Sequence, residues 1–206
     1  MLLRNLPKNV PDQALLDFSS TTVLDSPFPH FSSTSVLNNS LENKIYKWLQ
    51  LTPDWNLVET DFYEQYEFSL LNVNLPDEVK CLITSQFLKT IEHKFTEAFA
   101  VSGFGLVDVV AHKLINSQHI GVHNDYINGD ETHRLVFHFN PDWKEEHGGF
   151  LLLFNSSDSS DMSKVVRPVH NSAFGFEISK RSHHAVSKIY NYTRLTIVYT
   201  FKHLQA

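Results

Sequence analysis

From Gly103 to Phe201 the chain is a series of short apolar pieces with turn residues between them, and this pattern does most to limit the fold. The pieces are 106–115, 120–124, 134–139, 149–154, 165–169, 173–178, 183–187 and 194–201. Gly, Pro, Asn and Asp separate them, as expected where strands are joined by turns. Nothing between them has the length and period of a helix, which argues against the alternating strands and helices of a parallel sheet. Many short strands in so little sequence imply a β-sandwich or barrel.

The first half has another texture. Residues 1–35 read as an irregular N-terminal arm punctuated by Pro7, Pro11, Pro27 and Pro29, with a short edge strand admissible within 26–37. A helix is expected from Asn39 or Ser40, either of which can cap it. Leu41, Ile45, Trp48 and Leu49 fall on one face of that helix, and Pro53 lies beyond its end. Residues 55–74 are aromatic and weakly alternating, and read as strand or irregular cover. A second helical region is expected after Pro76, with Asp77 and Glu78 near its start and Leu88, Ile91, Phe95 and Phe99 on one face. The low-complexity run NSSDSSDMSK, 155–164, reads as a surface loop. The expected architecture is an all-β core with helical cover (α+β), with the helices on one outer sheet face. One domain is expected over 1–206, with 1–102 as arm and cover and 103–201 as the core.

Composition narrows the function classes. Seventeen basic and 23 acidic residues give a net charge of -6, and no basic run offsets it, so no nucleic-acid partner is expected. Cys81 is the only cysteine, which rules out an intrachain disulfide or a cysteine metal cluster. No apolar h-region opens the chain and no apolar run approaches membrane length. The expectation is a cytoplasmic protein with no membrane partner. Nothing in the sequence fixes its oligomeric state.

The chemistry-bearing motif is GVHNDY, 121–126. Residues two apart in a strand point to one face, so His123 and Asp125 can reach one ion. A further histidine arrives in RSHHAV, 181–186. Two imidazoles and one carboxylate form the facial triad of non-haem Fe(II) oxygenases, which leaves three coordination positions open. A His-x-Asp pair alone is a weak signal in a chain with 12 histidines, and a histidine merely lying near an acid explains it equally well.

The order of the remaining pieces carries more weight. They are Phe137-His138-Phe139-Asn140-Pro141-Asp142-Trp143, Gly148-Gly149-Phe150-Leu151, Pro168-Val169-His170-Asn171, Phe174-Gly175-Phe176-Glu177, Ser182-His183-His184-Ala185-Val186 and Arg194. With His123-Asn124-Asp125 this succession resembles the prolyl-4-hydroxylase-like branch of the Fe(II)/2-oxoglutarate dioxygenase superfamily over about residues 103–201. The resemblance implies a double-stranded β-helix, or jelly roll. It implies His123, Asp125 and His184 as ligands of Fe(II), with His184 rather than His183 because it fills the S-x-H-x-V position. It also implies Arg194 as the anchor of the distal carboxylate of 2-oxoglutarate. A guanidinium fork suits a carboxylate, and Thr196 shares its face. His112 occupies the position of a co-substrate-contacting tyrosine. Arg134 occupies a recurrent basic position, where it assists the co-substrate, shapes the substrate site or holds an acidic loop. His138 has no assigned role.

The implied activity is hydroxylation with 2-oxoglutarate and O2 as co-substrates, releasing succinate and CO2. Related halogenases usually replace the carboxylate ligand, and Asp125 is retained here. A small molecule, an amino acid or a peptide side chain is the expected substrate. The acidic loop Asn128–Glu131 is a place where an amine would be met. The alternatives are a non-catalytic jelly-roll binding protein and a cupin-like metal enzyme that does not use 2-oxoglutarate.

Overall fold

The computed structural model describes residues 15–204. The first fourteen residues of the expected arm lie outside this range. Twelve strands and two α-helices form two facing antiparallel sheets with the helices on one outer face.

The larger sheet has the order β1-β2-β10-β7-β12-β5-β4-β3. In chain order these are β1 Thr21–Leu24, β2 His30–Thr34, β3 Asn56–Glu59, β4 Glu64–Ser69, β5 Phe104–Leu114, β7 His133–His138, β10 Ser172–Glu177 and β12 Arg194–His203. The smaller sheet has the order β6-β11-β8-β9, with β6 Ile120–His123, β8 Leu151–Phe154, β9 Met162–Val166 and β11 His184–Val186. This is the jelly roll that the strand pattern and the resemblance imply.

The period of two sorts the side chains of the large sheet. On β12, Leu195, Ile197, Tyr199 and Phe201 join the helix-side core, while Arg194, Thr196, Val198 and Thr200 line an internal cavity. Strand β5 repeats this, with Val109 and Ala111 outward and Asp108, Val110 and His112 inward. The outward faces bury against α1 Asn39–Leu51 and α2 Ser85–Phe99. Phe87 stacks on Tyr199, and Phe95 meets Phe201 edge-on. The Tyr199 hydroxyl donates to Leu82 O at 3.0 Å, so its polar end is satisfied in the core.

Several boundaries differ from the expected ones for local reasons. The α1 cap is Asn38, whose side chain accepts from Leu41 N, rather than Asn39 or Ser40. Its buried face holds Glu42 beside Leu41, Ile45 and Leu49, while Trp48 is half-buried. Helix α2 starts at Ser85 behind a Thr84 cap, so Asp77 and Glu78 are not in its first turn, and Phe87 leads its buried face. The arm holds a regular hairpin, because β1 pairs with β2 and extends the sheet. The expected loop 155–164 is a tighter turn, closed by Asn155 N donating to Asp161 O at 3.1 Å. Its last residues enter β9, which runs Met162–Val166 instead of 165–169. No helix among the described residues is long and apolar enough to cross a membrane.

Candidate metal centre

Cross-strand register assembles the first two candidate ligands. His184 opens β11 directly opposite His123 at the end of β6. Their ring centroids are 4.2 Å apart. Asp125 arrives differently from the expectation of a shared strand face. Strand β6 stops at His123, and Asp125 lies beyond it with φ of 59°. The left-handed turn folds the carboxylate back: Oδ1 is 3.3 Å from His123 Nε2, and Oδ2 is 3.2 Å from His184 Nε2. Such a conformation is uncommon outside glycine, and asparagine and aspartate tolerate it best.

Both imidazoles are oriented from behind. His123 Nδ1 lies 2.9 Å from Gly121 O, and His184 Nδ1 lies 2.8 Å from Ser182 O. A carbonyl can only accept, so each Nδ1 donates and each Nε2 presents a lone pair toward the shared space. Ser182 Oγ in turn donates to Asn124 O at 2.9 Å, tying the two ligand-bearing turns together. The ligand atoms of His123, Asp125 and His184 all lie within 4.8 Å of one another, and this donor set fits a divalent metal ion such as Fe(II). His183 is outside the cluster, with its carbonyl accepting from Phe154 N.

Arg134 stands against this centre. Its Nη1 is 2.7 Å from Asp125 Oδ2 and its Nη2 is 2.5 Å from Glu131 Oε2. Burial pushes the Asp125 carboxyl upward, but Arg134 and the two histidines outweigh it and hold it well below the usual range. Of the three roles open to Arg134 in the sequence, its contacts match the holding of an acidic loop, since it pairs with Glu131 as well as with Asp125.

The cavity of about 400 Å³ between the sheets runs from this cluster to Arg194. Arg194 is 5% exposed, and among the described residues no carboxylate lies within ion-pair distance of it. Its Nε has no acceptor, and burial alone pulls its pKa down to about 10. Thr196 Oγ1 is also buried without a partner. Across the strands from Thr196 stand His112 on one side and His138 on the other. Both ring nitrogens of His138 lack partners, and burial followed by repulsion from Arg194 holds its pKa well below the ordinary value. His112 is driven to about 3, by burial first and then by Arg134 and Arg194. Orphaned buried donors of this kind are costly unless a ligand satisfies them. A guanidinium, a hydroxyl and the neutral His112 imidazole at one end of the cavity suit a carboxylate, while the His123, Asp125 and His184 cluster occupies the other end.

Sequence reasoning left His138 unassigned, although its alternation with Arg134 on β7 puts it on the inner face. It marked the stretch 55–67 as a candidate specificity wall without singling out Gln65 or Glu67, and it gave no role to Asp108; all three line the same cavity from β4 and β5. Aromatic Phe62 and Tyr63, in the turn between β3 and β4, cover the metal end. Phe62 lies 5.2 Å from the His123 ring, and its carbonyl accepts from Gly121 N at 2.8 Å.

A jelly roll with a two-histidine, one-carboxylate cluster and a buried basic residue across the cavity defines a class of metal-dependent oxygenase. Residues 109–202, a little under half of the chain, match the sequence profile of the 2OG-Fe(II) oxygenase superfamily. The two-histidine, one-carboxylate cluster fits the iron site of that superfamily. No curated protein matches the chain. Solved structures share its fold at low identity. A prolyl-4-hydroxylase from Pseudomonas putida superposes with a TM-score of 0.68 at 13% identity, covering 85% of this chain and 92% of that one. A Trichoplax adhaerens prolyl hydroxylase, solved with a hypoxia-inducible-factor peptide fragment, gives 0.69 at 12%, covering 89% and 84%. HygX from Streptomyces hygroscopicus, solved with nickel and 2-oxoglutarate, gives 0.58 at 10%, covering 84% and 82%.

Proposed function

We propose that the protein hydroxylates an unactivated C–H bond of an amino acid, peptide side chain or other small molecule, with release of succinate and CO2. His123, Asp125 and His184 are the metal ligands in this reading, and Arg194 with Thr196 holds the distal carboxylate of 2-oxoglutarate. His138 joins them as a neutral donor, and His112 lies along the wall between anchor and metal. Residues 1–206 act as one catalytic domain, with 103–201 as its core. The observation that carries the reading is Arg194, a buried guanidinium that has no partner among the described residues, in the cavity that also holds the cluster.

When bound, Fe(II) and 2-oxoglutarate supply the activation of O2 and the oxidation of the substrate. The chain supplies orientation and enclosure. The backbone carbonyls behind His123 and His184 fix which nitrogen faces the metal, and Arg134 fixes the rotation of Asp125. Phe62 and Phe176 flank the two imidazoles with apolar surface, which limits water at the reacting centre. No side chain is required as a general base.

The test is anaerobic reconstitution with Fe(II) and 2-oxoglutarate, watching for the visible charge-transfer band of the chelate. The band is expected with the wild-type protein and is expected to vanish in His184→Ala. Correctly folded protein that gives no band, or His184→Ala that keeps it, would refute the assignment.

A further inference from the structure

The cavity walls carry charge that the metal centre and the co-substrate leave unused. Four carboxylates line it, those of Glu67, Asp108, Asp125 and Glu131, against the two guanidinium groups of Arg134 and Arg194. Arg134 is committed to Asp125 and Glu131. Fe(II) and the 2-oxoglutarate dianion cancel one another, so loading the site leaves the excess of acid in place.

Glu67 and Asp108 are the two of these acids that have no cation among the described residues. The His112 ring is 3.8 Å from Glu67, beyond hydrogen-bond range, and burial keeps it neutral. Asp108 accepts from Ser69 Oγ at 2.6 Å and from Val109 N at 2.7 Å, both neutral donors. The two acids stand on neighbouring strands and share the inward face, since Glu67 pairs with His112 and Ser69 pairs with Val110.

Gln65 adds an independent observation. It is 4% exposed, and its Nε2 donates to Glu67 Oε2 at 2.8 Å. A carboxylate only accepts, so this bond fixes the orientation of the amide. Gln65 Oε1 is left buried without a donor among the described residues, on a side chain that lines the cavity. An apolar guest leaves that acceptor unsatisfied, and an anionic guest meets two uncompensated carboxylates.

We propose that the substrate carries a cationic hydrogen-bond donor, an ammonium or guanidinium group, received by Gln65 and Glu67, with Asp108 adding negative charge further along the same wall. The substrate is then a basic amino acid or the basic side chain of a peptide. This rests on the reading of the site as a 2-oxoglutarate hydroxylase and adds its substrate class. Phe62 and Tyr63, above the same cavity, offer apolar surface to the methylene stem of such a side chain.

The test uses full-length protein loaded anaerobically with Fe(II) and 2-oxoglutarate. The probes are L-lysine, L-arginine, their Nα-acetyl methylamides, and the neutral analogues norleucine and citrulline in both forms. Affinity is read from perturbation of the chelate band, and O2 is then admitted to look for gain of one oxygen atom by mass. Basic probes are expected to bind at least about tenfold tighter than their neutral counterparts, the effect of one charged hydrogen bond. Preference for the free or the capped form separates an amino-acid substrate from a peptide one. Glu67→Gln is expected to erase about tenfold of the basic probe's affinity, and Asp108→Asn a smaller part, while the chelate band still forms. A normal band with no preference for basic probes, including no binding of any probe, overturns the substrate class and leaves the hydroxylase reading intact. Absence of the band in wild-type protein removes both. The wild-type comparison stands even where a variant fails to fold.

Discussion

Arg134 Nη1 lies 2.7 Å from Asp125 Oδ2, and through this pair one guanidinium joins the candidate metal carboxylate to Glu131 on the following loop. The contact holds the rotation of a side chain whose backbone already sits in a left-handed turn. Removing Arg134 leaves two neighbouring carboxylates buried without their cation. Arg134→Met is therefore expected to weaken metal binding by about 10- to 100-fold, the usual effect of losing the group that orients a ligand. Arg134→Lys keeps the charge but loses the fork, and should fall between. Titration calorimetry with Co(II) checks this, and unchanged affinity in Arg134→Met would show that Asp125 orients itself.

Arg194 makes an opposite prediction for stability and for binding. In the absence of a carboxylate ligand its burial is a net cost, because burial lowers its pKa and no acid compensates. Arg194→Met removes that charge at similar length. The ligand-free variant is expected to be at least as stable as wild type, by roughly 0–2 kcal/mol, as when other buried charges are replaced by apolar residues. Adding 2-oxoglutarate with Co(II) should raise the unfolding temperature of wild type, since a ligand of the folded state stabilises by mass action, and should leave that of the variant where the metal alone puts it. A variant still stabilised by 2-oxoglutarate would remove Arg194 from the anchor.

Much of this site was legible because β12 obeys a period of two. Arg194 and Thr196 could be placed on one face from sequence, and the structure puts both in the cavity. The pairing of His184 with His123 follows from strand register, which no local pattern encodes. Asp125 illustrates the limit most clearly. Its spacing from His123 suggested a shared strand face, but the chain leaves the strand and turns, reaching the same meeting point by another backbone route. Gln65 and Glu67 were hidden for a related reason. They lie in a segment of weak alternation, and only its pairing with β5 decides which side faces inward. Hairpin β1–β2 was obscured by prolines that sit in the turn rather than in the strands.

His133 gives the fold a pH dependence separate from the site. The ring packs among Phe95, Phe99 and Phe104, and its Nε2 has no partner. Burial, followed by repulsion from His203, lowers its pKa to about 4. An unfolded histidine titrates near 6.5, so between these values the unfolded chain binds the proton and the folded chain does not. The contribution is complete above about pH 6.5 and is lost as pH falls toward 4, with a ceiling on the order of 3 kcal/mol. Urea unfolding at pH 7.5, 6 and 5 should show wild type losing stability faster than His133→Leu. Parallel slopes would mean that the folded state protonates this ring without cost.

Gly149 links the start of β8 to the anchor. Its φ is +71°, and a Cβ there would lie 2.7 Å from Ile189 Cδ1 and 3.1 Å from Arg194 Cδ. Both neighbours are buried, so neither yields freely. Gly149→Ala is expected to cost about 1–3 kcal/mol in backbone strain and crowding. Because the methyl group presses on the stem of Arg194, it should also weaken 2-oxoglutarate binding by about tenfold or more through misplacement of the guanidinium. Gly129 separates the two effects. It has φ of +79°, but a Cβ there would meet nothing within 4 Å. Gly129→Ala should therefore carry the strain alone, with the dissociation constant for 2-oxoglutarate unchanged. Equal loss of co-substrate affinity in both variants would trace the effect to general destabilisation, whereas loss confined to Gly149→Ala ties the glycine to the position of Arg194.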